Sequence, residues 1–334
     1  RKGFDFLFEN LDNLENINFN INIIGNSKGD FALKFINQIN KYRNINYLGL
    51  VADPENYDAV VVTNLCVPTA SGVPLRLLPD EINGVRIVGI DVPDFALGIE
   101  GRLRAAGIKT AHCVAPQIWA WRRSRAKRIA DKVDLLLTLF PFEVPFYERY
   151  DVNTTFIGHP VAEQFAMMPD LPAARRRLGL DQDRFTLALM PGSRRQEWIR
   201  HADLFLESAR LFSYRVPGVQ LVVGATNSTA LDHLRSRANQ ICADLDVIIL
   251  EAKSHDVLLA SDLALCASGT VTMECLFART PAVVAYKISP ITYPLMKAMV
   301  KVPFIAMPNI LAERELMPEF LQCKAQPRML SEAL

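Results

Sequence analysis

Hydrophobic residues in this chain come in short runs rich in valine, isoleucine and leucine, and between the runs the apolar positions recur at helical spacing. The runs "INFNINIIG", "YDAVVVTN", "GVRIVGID", "KTAHCVAP", "VDLLLTLF" and "NTTFIGHP" occupy the first half. In the second half "RFTLALMPGS", "VQLVVGAT", "DVIILEA", "DLALCASG" and "PAVVAYKI" alternate with amphipathic stretches such as "HADLFLESARLF". Short apolar strands joined by helices are the rhythm of a parallel α/β sheet, in which both faces of each strand are covered. The rhythm breaks after "FIGHPVAEQF", where "MMPDLPAARRRLGLDQDRF" is charged, carries prolines and has no strand until its end. The expected plan is α/β, with two Rossmann-like domains facing a cleft, one over residues 1–166 and one over 167–334.

Ligands of open α/β sheets sit beyond the carboxyl ends of the strands, so the residues that close each run are the places to search for chemistry. In "LMPGSRRQE" a Pro-Gly-Ser turn delivers Arg194 to a strand end, where a guanidinium can grip a diphosphate through paired hydrogen bonds. A surface turn with solvated arginines explains the same residues. In "CASGTVTMEC" the small residues Ser268, Gly269 and Thr270 lead from a strand into a helix, whose first amides lack partners and attract phosphate. Glu274, expected on the first turn of that helix, is placed to accept hydrogen bonds from a ribose. Ordinary helix capping and a carboxylate favoured by the helix dipole account for these residues equally well.

Two further groups belong to the first half. Asp91 and Asp94 in "GIDVPDF" stand at a strand end around Pro93, where a general base would be placed; a helix cap accounts for one of them but not both. In "VAPQIWAWRRSRAKR", Trp119 and Trp121 precede Arg122 and a basic run, a combination that fits an anionic lipid surface or the start of a solvated basic helix behind two core tryptophans. His159 in "IGHPV" lies at the junction of the halves, where a lone histidine after a strand is more often structural than catalytic.

Composition narrows the field. The chain has 334 residues, half of them hydrophobic, enough for two cores, and its formal net charge of +1 argues against nucleic acid as a partner. Twelve of the 18 asparagines lie in residues 1–60, which sets that stretch apart from the Arg- and Ala-rich remainder. The six cysteines form no CxxC pair and are expected to be reduced core residues. The five histidines show no metal-ligand spacing, so no metal is expected, and with no Walker or GxGxxG loop in the chain no cofactor is expected either. No run is long and apolar enough to span a membrane, and the first residues lack the apolar centre of a signal peptide. The expectation is a soluble or at most peripheral protein.

Seven blocks occur in one order: "GIDVPDF", "APQIWAWR", "LFPFEVPFYERY", "FIGHPV", "LMPGSRRQE", "SDLALCASGTVTMECLFARTPAVVAYK" and "MPNILAERELMPEFLQ". From about Val85 to Leu334 the chain resembles the lipid-A-disaccharide synthases, glycosyltransferases of the B type. The resemblance implies transfer of 2,3-diacylglucosamine from UDP to 2,3-diacylglucosamine 1-phosphate, forming the β-1,6-linked lipid A disaccharide. It implies Asp91 as the essential carboxylate, with Arg194, Ser268, Gly269, Thr270 and Glu274 holding UDP and Asn309 and Arg314 lining the same cleft. It further implies a cytoplasmic protein, peripheral on the inner face of the bacterial inner membrane. A UDP-sugar epimerase on the same architecture, or a nucleotide-sugar-binding relic, would share the phosphate loops.

Overall fold

The computed structural model describes residues 21–24, 45–49, 59–63, 87–90, 93–121, 123–165, 169–289, 292–300 and 302–334. The chain divides into two compact units, Arg1–Glu163 and Gln164–Leu334.

The first unit is built on a parallel sheet of β1 (Ile21–Ile24), β2 (Ile45–Gly49), β3 (Ala59–Thr63), β4 (Ile87–Ile90), β5 (Thr110–Cys113), β6 (Leu135–Thr138) and β7 (Thr154–Phe156), in the spatial order β2-β1-β3-β4-β5-β6-β7. Strand β2 has no counterpart among the apolar runs read from the sequence, because its asparagine and glycine interrupt a stretch of five residues. Helix α1 (Pro93–Ala105) follows β4 and brings the fully buried Glu100 against it. A Cβ at Gly89 would lie 1.9 Å from Glu100 Oε1, so only glycine leaves room there. The same carboxylate oxygen is 3.0 Å from Nδ1 of the equally buried His112 on β5. A small core of Leu97, Ile118, Ile129, Leu136 and Tyr147 closes this side of the sheet.

The second unit carries a parallel sheet of β8 (Thr186–Met190), β9 (Gln220–Ala225), β10 (Val247–Glu251), β11 (Leu263–Cys266), β12 (Ala282–Tyr286) and β13 (Glu319–Leu321), in the order β10-β9-β8-β11-β12-β13. At three residues β13 is too short to show a period in the sequence. The helices form where local signals place them. Asp170 caps α2 (Leu171–Leu178) by accepting from the Ala173 N–H, and Gly179, at φ +68°, ends it in the left-handed conformation. Asn227 caps α4 (Ser228–Ile241) in the same way, through the Ala230 N–H. Between them α3 (Arg195–Arg215) runs for 21 residues, and α5 (Ser254–Leu259) follows β10.

Helix α3 places Trp198, Phe205, Ala209 and Phe212 against Leu187, Leu221 and Val223 of the sheet, and α8 (Pro327–Ala333) adds Leu330. Each large apolar side chain buried in this way contributes about 1.5–3 kcal/mol. Asp262 ties the amino ends of the two central strands, β8 and β11, together. Its Oδ2 accepts from the Thr186 N–H at 2.7 Å and from Nη2 of the buried Arg175 at 2.6 Å.

Candidate functional site

The strand order reverses direction at β8: β9 and β10 lie on one side of it and β11, β12 and β13 on the other. Such a switch point opens a crevice beyond the carboxyl ends of the two central strands, because the connections leaving them run to opposite faces. Here Met190 of β8 lies opposite Cys266 of β11, and the Ala267 N–H donates to the Met190 carbonyl at 2.9 Å. The Pro191–Arg194 turn and the Ala267–Thr270 turn therefore leave the sheet side by side.

The first turn depends on Gly192, which sits at φ +121°, where an added Cβ would come within 2.5 Å of Glu197 Cβ. Arg194 is the N-cap of α3, and Glu197 stands at the third helical position. Glu197 Oε2 accepts from the backbone N–H groups of Ser193 and Arg194, both at 3.1 Å. Its Oε1 accepts from Arg194 Nη1 at 2.8 Å and from the Tyr286 hydroxyl at 3.3 Å. The Arg194 side chain is 78% exposed, so this pairing leaves the guanidinium open to solvent. Burial, reinforced by the Glu197 charge, raises the Tyr286 pKa. Deeper on α3, the buried His201 lies 2.9 Å from both the Pro191 carbonyl oxygen and the Lys287 backbone nitrogen.

In the second turn Gly269 has φ +157° and ψ −159°, a region that side chains strongly disfavour, and a Cβ there would face open space. Helix α6 (Thr270–Ala278) follows with no side chain capping its first amides, although Thr272 Oγ1 donates back to the Gly269 carbonyl at 2.8 Å. Ser268 Oγ donates to the Ile305 carbonyl at 3.1 Å and joins the turn to the loop before α7 (Met307–Ala312). Glu274 does not stand on the first turn, as the sequence pattern led us to expect. The helix begins at Thr270, its first turn holds no acidic residue, and the half-buried Glu274 lies one turn further on. Favouring by the helix dipole, which fades within the first turn, therefore does not explain it.

Asn309, expected to line the cleft, is fully buried, and its side chain is engaged within its own unit. Nδ2 donates to the Met317 carbonyl and to Glu319 Oε1, each at 2.8 Å, while Oδ1 accepts from the Leu316 N–H at 2.8 Å and the Met317 N–H at 2.9 Å. Its whole hydrogen-bonding capacity is spent on the loop. Glu319 completes that arrangement by accepting from the N–H groups of Ile305 and Ala306. Arg314 is exposed, and its backbone N–H donates to the Asn309 carbonyl.

Glu197, His201, Tyr286 and Glu319 were not singled out from the sequence. A glutamate three residues after a helix N-cap was the available signal for Glu197. Nothing local marks Glu319, which acts on residues more than a dozen positions earlier.

Among the first unit's candidates, Asp91 and Arg122 lie outside the described residues. Asp94 is exposed in the first turn of α1 and hydrogen-bonded to Arg125. Trp119 is a core residue and not a lipid-facing one. It is 6% exposed, packs edge-on against Phe142, and donates Nε1–H to the buried Glu143 at 3.1 Å. Burial raises the Glu143 carboxyl to about 7, outweighing its hydrogen bonds from the Phe140 N–H and Trp119. Trp121 is half-buried, and Arg123, Lys127 and Arg128 are exposed. His159 accepts the Val161 N–H on Nδ1 at 3.3 Å and lies beside Phe140, and burial pushes its pKa down to about 4. Of the cysteines, Cys113, Cys242, Cys266 and Cys275 are buried as expected, whereas Cys323 is exposed; Cys66 lies outside the described residues. Among the described residues no group of three or more His, Cys, Asp or Glu side chains could hold a metal ion.

Against known proteins, the model of the lipid-A-disaccharide synthetase family matches residues 81–334. The lipid-A-disaccharide synthase of Azotobacter vinelandii is 46% identical over 248 residues, which are 74% of this chain and 65% of that protein. That of Pseudomonas putida is 45% identical over 249 residues, with the same coverage. The chain thus spans 65% of the length of the curated relatives it matches. Among solved structures, the UDP-GlcNAc 2-epimerase from Neisseria meningitidis bound to UDP-GlcNAc aligns over 88% of this chain and 89% of its own, at 11% identity and a TM-score of 0.47.

Proposed function

The chain belongs to the lipid-A-disaccharide synthetase family, and from that premise we propose that it is an inverting glycosyltransferase acting on a UDP-linked diacylglucosamine donor and a diacylglucosamine 1-phosphate acceptor. The observation that carries the donor half is the pair of adjacent turns at the switch point. The first brings the exposed guanidinium of Arg194, the second the uncapped start of α6. Both favour the charge that grows on a departing diphosphate. Thr270 and the Ser268 hydroxyl offer oxygen contacts beside it, and Glu274 is assigned to the ribose.

In the reaction the acceptor 6-hydroxyl attacks the donor's anomeric carbon. The bond from that carbon to the diphosphate breaks, and UDP leaves with the electron pair. Asp91 is assigned as the base that takes the hydroxyl proton. A single displacement inverts the anomeric centre and yields the β-1,6 linkage. The UDP-sugar is a substrate, the diphosphate charge is met by Arg194 and main-chain amides, and the reading calls for no cofactor.

The product is a lipid, so we assign the protein to the cytoplasmic face of the inner membrane, held peripherally. Among the described residues no helix is long and apolar enough to cross a membrane. With Trp119 in the core, the exposed Arg123, Lys127 and Arg128 are assigned, among the described residues, to meet anionic headgroups.

Incubating the chain with both lipid substrates, followed by mass spectrometry, tests the activity directly. A disaccharide 1-phosphate and stoichiometric UDP are expected, and Asp91→Asn should lower the rate by about 100-fold or more. Near-normal transfer by that variant would remove Asp91 from its role. Epimerised donor formed without acceptor would replace the transferase reading.

A further inference from the structure

His201 joins the turn that follows β8 to the backbone at the end of β12. It lies fully buried on α3, two turns beyond Arg194. Its Nδ1 is 2.9 Å from the Pro191 carbonyl oxygen, which can only accept, so Nδ1 carries the proton. Its Nε2 is 2.9 Å from the Lys287 backbone N–H, which can only donate, so Nε2 is bare. Both bonds require the uncharged ring: a proton on Nε2 would set N–H against N–H in a site without water access. Arg200 Nη1 reaches the Lys287 carbonyl at 3.4 Å, so α3 holds both backbone groups of the residue after β12. Pro191 opens the turn that ends at Arg194, and Tyr286, next to Lys287, donates its hydroxyl to Glu197.

We propose that His201 is a positioning residue for donor binding, whose neutral Nδ1–H form locks the Pro191–Arg194 turn to the end of β12. Protonation releases that turn and weakens the grip on a nucleoside diphosphate. This rests on the donor-site reading above. The groups facing the ring are Glu197 and Arg200 from α3, Tyr286 and the Lys287 backbone from the β12 side, and the Phe205 ring. Burial lowers the ring's pKa from its ordinary value near 6.5 and outweighs the Glu197 charge and the hydrogen bonds with Pro191 and Lys287, so the tie is intact at neutral pH and lost as pH falls below that range.

The test compares UDP affinity by calorimetry for the wild-type chain, His201→Gln and His201→Leu at about pH 7.5 and about pH 5. A glutamine amide offers one donor and one acceptor at a spacing close to that of the ring nitrogens, and it does not titrate. His201→Gln should keep affinity within about threefold at neutral pH and remove the part of the acid-side weakening that does not come from UDP's own phosphate. His201→Leu should lose roughly tenfold or more at both pH values. Nitrogen-resolved NMR of the imidazole should show the Nδ1–H tautomer at neutral pH, a readout independent of catalysis. A glutamine variant with the wild-type pH slope, a leucine variant with wild-type affinity, or an Nε2–H tautomer would overturn the tie alone. Failure of the wild-type chain to bind UDP at either pH would overturn the donor site and this inference with it.

Discussion

Replacing Asn309 by alanine separates a residue that touches the donor from one that shapes the loop beside it. The side chain is fully buried and makes four hydrogen bonds, to the N–H and carbonyl of Met317, the N–H of Leu316 and a carboxylate oxygen of Glu319. Truncation strands the two backbone groups of Met317, itself buried, at about 1–3 kcal/mol each. Leu316 is exposed, so its N–H can turn to water and adds little. The expected loss is about 4 kcal/mol, or roughly 10 °C in the melting temperature of a unit this size. Scanning calorimetry should place that loss in the transition of the Gln164–Leu334 unit, and UDP affinity should fall only as far as the loop loosens. An unchanged melting temperature together with abolished UDP binding would refute the scaffold role and return Asn309 to the cleft.

Three other outcomes follow from the same geometry. Arg194→Ala should weaken UDP binding by about tenfold or more while leaving the melting temperature within about 1 °C, because its ion pair with Glu197 is solvent-exposed; a large loss of stability would contradict that placement. Burial raises the Glu143 carboxyl to about 7 from an ordinary 4.5, so its contribution to stability is fully present below about pH 4.5 and is lost as pH rises through 7. That loss is about 3 kcal/mol at most, and it should appear as a difference in urea stability between wild type and Glu143→Gln; parallel pH profiles would refute it. Gly89→Ala should destabilise the first unit by about 3 kcal/mol or more, since the new Cβ would fall on Glu100 Oε1, and adding Glu100→Ala should recover part of the loss. Absence of any recovery would show that the clash is not the cause.

Most of the sheet architecture was legible in the chain itself. Runs such as "TLALM" and "QLVVGA" are apolar on both faces because helices cover both, and a parallel strand of that kind announces itself without alternation. The turns were legible too, since Pro191, Gly192 and Gly269 impose backbone conformations that few other residues take. The start of α6 was misplaced relative to Glu274 by about a turn, because Ser268, Gly269 and Thr270 are all acceptable near a helix start and only the backbone dihedrals choose between them.

What the sequence determined by itself, then, was the alternation of strands and helices, the position of the two glycine turns that close β8 and β11, and the family, all of which rest on neighbours along the chain. Tertiary structure alone decided that β8 and β11 are adjacent, which brings together residues 191–194 and 267–270. It also decided that Trp119 and Asn309 turn inward, that Glu197 receives the amides of the Pro191–Arg194 turn, and that His201 joins Pro191 to Lys287, some 96 positions apart. Burial and hydrogen-bond satisfaction depend on which segments meet in space, and that is set by the packing of the whole core rather than by any local stretch of residues.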